Sequence, residues 1–287
     1  MLLNLKDILG VAKKDSFAVG AFNTTDVALV RSVVEEAEKT DTPAILQFAP
    51  GEFNYATPYF FEYVIKRMEN SRVPFALHLD HGKTIEECVK AIQAGFTSVM
   101  IDGSTMSFED NIRITKHVVD VAHMAGVSVE GEIGTIGTMN NSDEGGVDNV
   151  VYTNPDDVVN FVDKTGVDAL AVAIGTAHGI YPKNFKPELQ IDILKEINKV
   201  TDIPLVLHGG SDNPDNEIRE ACEVGIQKVN ISSDIKQEFF KAVTSILNDT
   251  GCFLPPKVFN PAIEATKKVV HNKMELFGSL GKAHLYR

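Results

Sequence analysis

The sequence predicts an α/β fold, a (β/α)8 TIM barrel built as a single domain. Eight short apolar runs bounded by turn residues recur along the 287-residue chain, at residues 18–23, 43–48, 75–80, 98–102, 127–132, 169–175, 204–208 and 228–232. Their starts lie on average about 30 residues apart, the length that one strand, one helix and two short loops require. The third observation is chemical: five of these apolar runs end in, or run into, histidines and acids. In a parallel barrel all such ends share one face.

The elements follow in order. Residues 1–15 carry Leu2, Leu5, Ile8 and Leu9 at helical spacing, while Lys6 and Asp7 interrupt any signal-peptide core, so an amphipathic helix is expected. Between the third and fourth runs, Thr84-Ile-Glu-Glu87 is a capping box. Asn154-Pro155 and Asn213-Pro214 each pair an N-cap side chain with a proline pre-set for the first helical position. Gly95, Gly126, Gly166 and Gly225 stand where helices should stop and turn back into strands. Near-continuous apolar strands alternating with helices call for a parallel sheet covered by those helices. An open doubly wound sheet is the competitor. Against it, no Gly-x-Gly-x-x-Gly follows the first run, and Gly131-x-x-Gly134-x-x-Gly137 follows the fifth with no helix opening behind it. The long interval after the fifth run holds residues 134–150, rich in Gly, Asn, Ser and Asp, expected to form a lid at the barrel mouth. A helical segment closes the chain.

Composition narrows the function classes. The chain is 44% hydrophobic and 23% charged, which is ordinary for a globular protein. Its 27 basic and 40 acidic residues leave a net charge of −13, which repels nucleic acid and anionic membranes and favours a small-molecule partner. The longest apolar stretches, such as residues 169–174, fall far short of the ~18 residues of a membrane span. Cys88, Cys222 and Cys252 are widely spaced and odd in number, so no disulfide framework or zinc knuckle is expected, and a soluble protein of the reducing cytoplasm is.

The strand ends carry the chemistry. The third run closes Leu77-His78-Leu79-Asp80-His81, the fourth Met100-Ile101-Asp102, the fifth Val129-Glu130-Gly131-Glu132, the sixth runs into His178-Gly179, and the seventh ends Leu207-His208-Gly209-Gly210-Ser211. A shared face lets His81, His178 and His208 converge. Three neutral imidazoles with an open fourth position describe a catalytic zinc site. Asp102 and Glu132 read as additional oxygen ligands or supporting carboxylates, with a rim salt bridge as the plainer alternative. His78 reads as a supporting partner or a core polar residue, and His117, His123, His271 and His284 as surface residues. Gly209-Gly210-Ser211 and Asn230-Ile231-Ser232-Ser233 follow the last two strands, where barrels hold phosphate on backbone N–H groups. Lys83 and Arg113 read as solvated helix-face charges.

Taken together, His78-Leu-Asp-His-Gly82, Val99-Met-Ile-Asp-Gly-Ser104, Val129-Glu-Gly-Glu-Ile-Gly134, Leu170-Ala-Val-Ala-Ile-Gly-Thr-Ala-His-Gly179, Pro204-Leu-Val-Leu-His-Gly-Gly-Ser211 and Lys228-Val-Asn-Ile-Ser232 resemble the class II, metal-dependent ketose-bisphosphate aldolases, which act on fructose or tagatose bisphosphate. The resemblance covers nearly the whole chain. It implies a zinc-dependent aldehyde-lyase that cleaves a ketose 1,6-bisphosphate to dihydroxyacetone phosphate and glyceraldehyde 3-phosphate. It implies zinc on His81, His178 and His208, with Asp102 and Glu132 serving a second or displaced metal position. A monovalent cation is a further candidate. Asp80 becomes the catalytic acid/base, and Gly179, Gly209, Gly210, Ser211, Asn230, Ile231, Ser232 and Ser233 take substrate. The family's habit implies a homodimer or homotetramer.

Three departures accompany the resemblance. Asp212 stands where the family usually has glycine, either capping the following helix or opposing the phosphate, and the cap is the favoured reading because Asp-Asn-Pro opens helices well. The lid sequence differs, leaving Glu144 or Asp143 as the acid that protonates the cleaved fragment, with Glu144 preferred. The stretch Leu254-Pro-Pro-Lys-Val-Phe-Asn-Pro261 lacks the arginine that helps many members bind the distal phosphate, so a ketose 1-phosphate whose aldehyde half has no phosphate is the alternative substrate. Schiff-base chemistry would need a lysine at a strand's carboxyl end, and Lys228 reads as the first residue of its strand. A metal-dependent hydrolase on the same barrel would bring a His-x-His to the first strand, which residues 18–23 lack. A catalytically silent sugar-phosphate barrel would have no need of Asp80.

Overall fold

The computed structural model describes residues 1–138, 150–179, 181 and 187–287. The elements run α1 (Leu5–Lys14), β1 (Val19–Asn23), α2 (Val27–Thr40), β2 (Ala44–Phe48), α3 (Pro50–Tyr55), α4 (Pro58–Glu69), β3 (Phe75–Gly82), α5 (Ile85–Gln93), β4 (Ser98–Ile101), α6 (Phe108–Met124) and β5 (Ser128–Ile133). They continue with β6 (Gly137–Thr138), α7 (Pro155–Thr165), β7 (Ala169–Val172), β8 (Ala177–His178), α8 (Ile191–Val200), β9 (Leu205–Leu207), α9 (Asp215–Val224), β10 (Ile226–Ile231), α10 (Ser233–Thr250) and α11 (Pro255–Leu276). Side-chain caps start many of the helices: Asn4 for α1, Asp26 for α2, Thr84 with Glu87 for α5, Ser107 for α6 and Asn154 for α7. The Asn213 side chain, read from sequence as the cap of α9, instead donates to the Gly209 and Ser211 carbonyls, and Pro214 occupies the cap position.

Eight parallel strands close in the order β1-β10-β9-β7-β5-β4-β3-β2. The class is a (β/α)8 barrel in one domain. Alternation within each strand sorts the side chains. Phe22, Leu46, Leu77, Leu79, Val99, Val129, Leu170, Val172, Leu205, Leu207, Val229 and Ile231 belong to the outer core under the helices. Val19, Ala21, Ile45, Ala76, Ala169, Ala171 and Val206 face the interior, where they pack with Leu5, Ile8, Leu9 and Ala12 of α1 and with Phe17. The predicted N-terminal helix therefore seals the amino-terminal end of the barrel. The interior is apolar there and polar above it: Asn23, Gln47, His78, Asp80, Glu130, Glu132, His208, Lys228 and Asn230 are all buried. Period-two alternation carries both layers, so the same strands build the plug and the site.

Two strand bounds differ from the sequence reading in ways that matter below. β10 begins at Ile226, so Lys228 is its third residue and not its first. The sixth run ends as a barrel strand at Val172, and its continuation at Ala177–His178 pairs instead with Gly137–Thr138 in a separate two-stranded parallel ladder. α10 and α11 pack against α2 through Ala28, Leu29, Phe239, Ala262 and Ile263. Among the described residues no helix is long and apolar enough to cross a membrane.

Phe48 is fully buried and meets the rings of Phe60, Phe61 and Phe96 edge-on at centroid distances of 6.0, 5.2 and 6.0 Å. Phe48→Ala should lower the unfolding free energy by about 3–5 kcal/mol through lost burial and the cavity left behind, read as a drop in the denaturant midpoint.

Candidate active site

The end of β3 is irregular. Its register against β4 shifts between Leu79 and Gly82, and His81 adopts φ 51°, a left-handed conformation that a non-glycine residue holds only when its surroundings fix it. His81 Nδ1 faces Asp102 Oδ2 at 3.0 Å and its Nε2 faces His208 Nδ1 at 2.9 Å. His208 Nε2 in turn lies 2.8 Å from Glu130 Oε1. A carboxylate only accepts, so Asp102 calls for the proton on His81 Nδ1 and Glu130 for the proton on His208 Nε2. With both rings neutral, as metal binding requires, the facing nitrogens would both be lone pairs. His178 completes the group: ligand atoms of His81, His178 and His208 all lie within 4.8 Å of one another, and so do those of His81, Asp102 and Glu132. The three histidines and two acids singled out from the sequence are thus brought together.

The electrostatics of this cavity ask for a cation. Burial pushes the Glu132 carboxyl well above its ordinary range, and Asp102 adds to the effect. Its Oε2 accepts no hydrogen bond and stands 3.6 Å from His208 Nδ1 and 3.8 Å from His81 Nδ1. Burial works against charging His81, yet Asp80, Asp102 and Glu132 outweigh it and push the imidazole up to about 9. Facing ring nitrogens, an orphaned carboxylate oxygen and a cluster of acids that favours positive charge at His81 together fit a divalent metal ion with nitrogen and oxygen ligands. Lys83, read from sequence as a solvated charge, pairs with Asp102. Among the described residues Arg113 pairs with exposed Asp110, as a solvated charge should.

Asp80 is held on three sides. Its Oδ2 accepts from Asn23 Nδ2 at 3.0 Å and Gln47 Nε2 at 3.2 Å, and its Oδ1 accepts from Asn230 Nδ2 at 3.0 Å. Burial would raise this carboxyl, but the charges of His81, His208 and Lys228 hold it below the usual carboxylate range. It is an ionised, oriented base 4.0 Å from His81 Nε2. Asn23 and Gln47 were missed in the sequence, although Asn23 closes an apolar strand and Gln47 is the one polar residue of β2.

Beneath these groups lies a buried hub of which the sequence reading named only His78, as a supporting partner or a core polar residue. Glu130 takes Lys228 Nζ at 3.0 Å, His208 at 2.8 Å and His78 Nε2 at 3.5 Å, and His78 Nδ1 reaches Ser98 Oγ at 2.9 Å. Burial and the Lys228 charge push His78 down to about 3, so it is a neutral support. Lys228 Nζ also donates to Asn230 Oδ1 at 2.6 Å. Its pairing with Glu130 inside the barrel is what argues against a Schiff-base role, since its place is the strand's middle and not its start.

The two predicted phosphate loops adjoin this centre. Gly209 holds φ 63°, and a Cβ there would meet the Ala177 carbonyl at 2.6 Å, so the close approach of the two loops requires glycine. Ser211 Oγ receives the backbone N–H groups of Ser232 and Asp234 at 3.3 and 3.5 Å, joining the Gly209-Gly210-Ser211 turn to the start of α10. Ser233 begins that helix, and Gly179 holds φ 101° just beyond His178. Ile231 is buried in the outer core, so it offers only its backbone. The Asn230 side chain is committed to Asp80 and Lys228. Lys236 Nζ donates to Ser232 Oγ at 2.9 Å and pairs with Glu52, whose Oε2 receives Asn23 Nδ2 at 3.3 Å. A lysine one turn after the second loop was the available signal for it. Asp212 is no helix cap: its carboxylate accepts the Tyr181 backbone N–H at 2.8 Å. Glu144 and Asp143, with most of the expected lid, lie outside the described residues.

A barrel whose carboxyl-terminal mouth gathers imidazoles, carboxylates and glycine-rich turns has the make-up of an enzyme. The comparisons narrow this to a family. Residues 3–282 match the model of the class II fructose-bisphosphate aldolases, and the chain belongs to that family of lyases. A fructose-bisphosphate aldolase of Staphylococcus aureus is 38% identical over 98% of this chain and 99% of its own, and one of Geobacillus stearothermophilus is 39% identical over the same shares. The crystal structure of the YdjI aldolase from Escherichia coli K12 superposes with a TM-score of 0.87 at 33% identity, covering 99% of this chain and 100% of that one.

Glu130→Gln keeps the shape of the hub while removing the negative charge that pairs with Lys228 and holds the proton on His208 Nε2. Divalent-metal affinity should fall by about 10–100-fold, measured by competition with a chromogenic chelator.

Proposed function

We propose that this protein is a zinc-dependent aldolase that reversibly cleaves a ketose 1,6-bisphosphate, of fructose or tagatose configuration, to dihydroxyacetone phosphate and glyceraldehyde 3-phosphate. The observation that carries the reading is Asp80: a carboxylate oriented by three amide donors stands beside the imidazole triangle, where a proton must be moved in an aldol cleavage. Family membership and the named relatives support the same reaction class.

His81, His178 and His208 would hold the zinc ion, with Asp102 and Glu132 as oxygen groups for a second or displaced position. When bound, zinc supplies Lewis acidity that stabilises the negative charge developing as the C3–C4 bond breaks. The remaining steps belong to the chain. Ser211, Gly209, Gly210 and the N–H groups at the start of α10 hold the C1 phosphate, with the Lys236 ammonium alongside. Asp80 takes the C4 hydroxyl proton as that carbon becomes the aldehyde carbonyl, and the electron pair of the broken bond passes to C3 in conjugation with C2. Asn23, Gln47 and Asn230 keep the Asp80 oxygens aimed, so no reorientation is needed during transfer. Glu144 is proposed to return a proton to C3 and release dihydroxyacetone phosphate. A homodimer or homotetramer in the cytoplasm belongs to the same proposal and rests on the family resemblance.

A coupled assay for dihydroxyacetone phosphate, run over fructose and tagatose mono- and bisphosphates, tests the reading. Cleavage should require metal, return with zinc after chelation, and leave no borohydride-trapped lysine adduct. Activity that persists after complete metal removal would contradict it. Asp80→Ala should retain metal and fold while losing at least ~10²-fold in kcat, the low end for a positioned acid/base, and normal turnover in that variant would move the proton transfer elsewhere.

A further inference from the structure

We propose that Asp212 is a positioning residue for the phosphate-bearing half of the substrate site, latching the backbone at Tyr181 to the 209–213 loop. The proposal rests on the phosphate reading given above. Asp212 holds φ 57°, a left-handed conformation that glycine adopts freely and aspartate tolerates at some cost, so the side chain has to contribute something in return. It makes no cap to α9, which starts at Asp215 behind the cap residue Pro214, with no side-chain hydrogen bond there. What it does make is a charge-assisted bond, the Tyr181 N–H donating to Oδ2 at 2.8 Å.

Tyr181 is tied at its other end as well. Its ring is buried, its hydroxyl oxygen accepts the Ala177 N–H at 2.8 Å, and the hydroxyl reaches Asn213 Oδ1 at 3.4 Å. Asn213, itself buried, donates to the Gly209 carbonyl at 2.5 Å and the Ser211 carbonyl at 2.9 Å. Ala177 immediately precedes His178, and Gly209 to Ser211 form the phosphate turn. The pair Asp212 and Asn213 thus joins the segment bearing His178 to the segment bearing the phosphate donors. A ligand that spans both, with oxygens for the imidazole triangle at one end and a phosphate at the other, meets two anchors whose spacing is already set. Asp212 is exposed, so its repulsion of a nearby phosphate is screened by water and salt while its short-range bond to Tyr181 persists.

Two substitutions separate these effects. Asp212→Gly keeps the left-handed backbone and removes the latch, whereas Asp212→Asn keeps an oxygen acceptor and removes the charge. Asp212→Gly should raise the Kd for dihydroxyacetone phosphate and the KM for the ketose phosphate about fivefold, with little change in kcat, and should speed amide exchange in the peptide containing Tyr181. Asp212→Asn should restore most of the affinity and the protection. If Asp212→Gly binds dihydroxyacetone phosphate as well as wild type with unchanged exchange, or more tightly, the latch is overturned while the aldolase reading stands. A wild-type protein that neither binds dihydroxyacetone phosphate nor cleaves a ketose phosphate overturns both.

Discussion

The upper interior of the barrel buries more carboxyl groups than it can keep charged, and much of the site is arranged around that constraint. Asp80, Asp102, Glu130 and Glu132 are all buried beside the Lys228 ammonium, the half-exposed Lys83 and the His81 imidazole, which the acids push toward its charged form, while Glu132 is driven toward its neutral form. A carboxylate in such surroundings must be paired or hydrogen-bonded. Glu130 is neutralised by Lys228, and Asp80 is satisfied by three amides. Asp102 and Glu132 lean on the imidazoles, whose ring nitrogens converge. A divalent ion would let the imidazoles face it as neutral ligands and Glu132 ionise, which is why the same residues that make the interior costly to bury make it a good metal site.

The barrel was legible because its signals are local and periodic. Apolar runs, caps such as Thr84 with Glu87, and glycines at helix ends all act within a few residues, and the alternation along each strand does not depend on partners. The metal-ligand candidates were legible for a related reason: His81, Asp102, Glu132 and His208 end apolar strands where a polar side chain has no local purpose. What was not legible depends on contacts across the barrel. Glu130 and Lys228 meet from β5 and β10, 98 residues apart, and nothing near either predicts the other. Asn23 and Gln47 look like ordinary strand ends until Asp80 is seen between them. Asp212 and Asn213 form a good helix start by local rules, but a neighbouring loop offers both side chains competing partners.

The same layering ties stability to chemistry. α1 seals the amino-terminal end with apolar side chains, so the interior above it is shielded from water, which strengthens the electrostatics of the hub. Above the hub, the loops after β8, β9 and β10 are joined by hydrogen bonds through Tyr181, Asn213 and Ser211. Asp80, the converging imidazoles and the 209–211 turn are therefore parts of one hydrogen-bonded body carried on the strand ends.

The central claim is that a cation held by the three converging imidazoles meets the substrate directly. Titrating the metal-stripped protein with cobalt(II), and following the visible absorption before and after adding dihydroxyacetone phosphate, tests it most directly. One equivalent per chain should give the spectrum of a nitrogen-rich site of low coordination number, recover activity in the same proportion, and shift when dihydroxyacetone phosphate is added. A spectrum indifferent to dihydroxyacetone phosphate, or activity that does not follow the bound cobalt, would contradict the account.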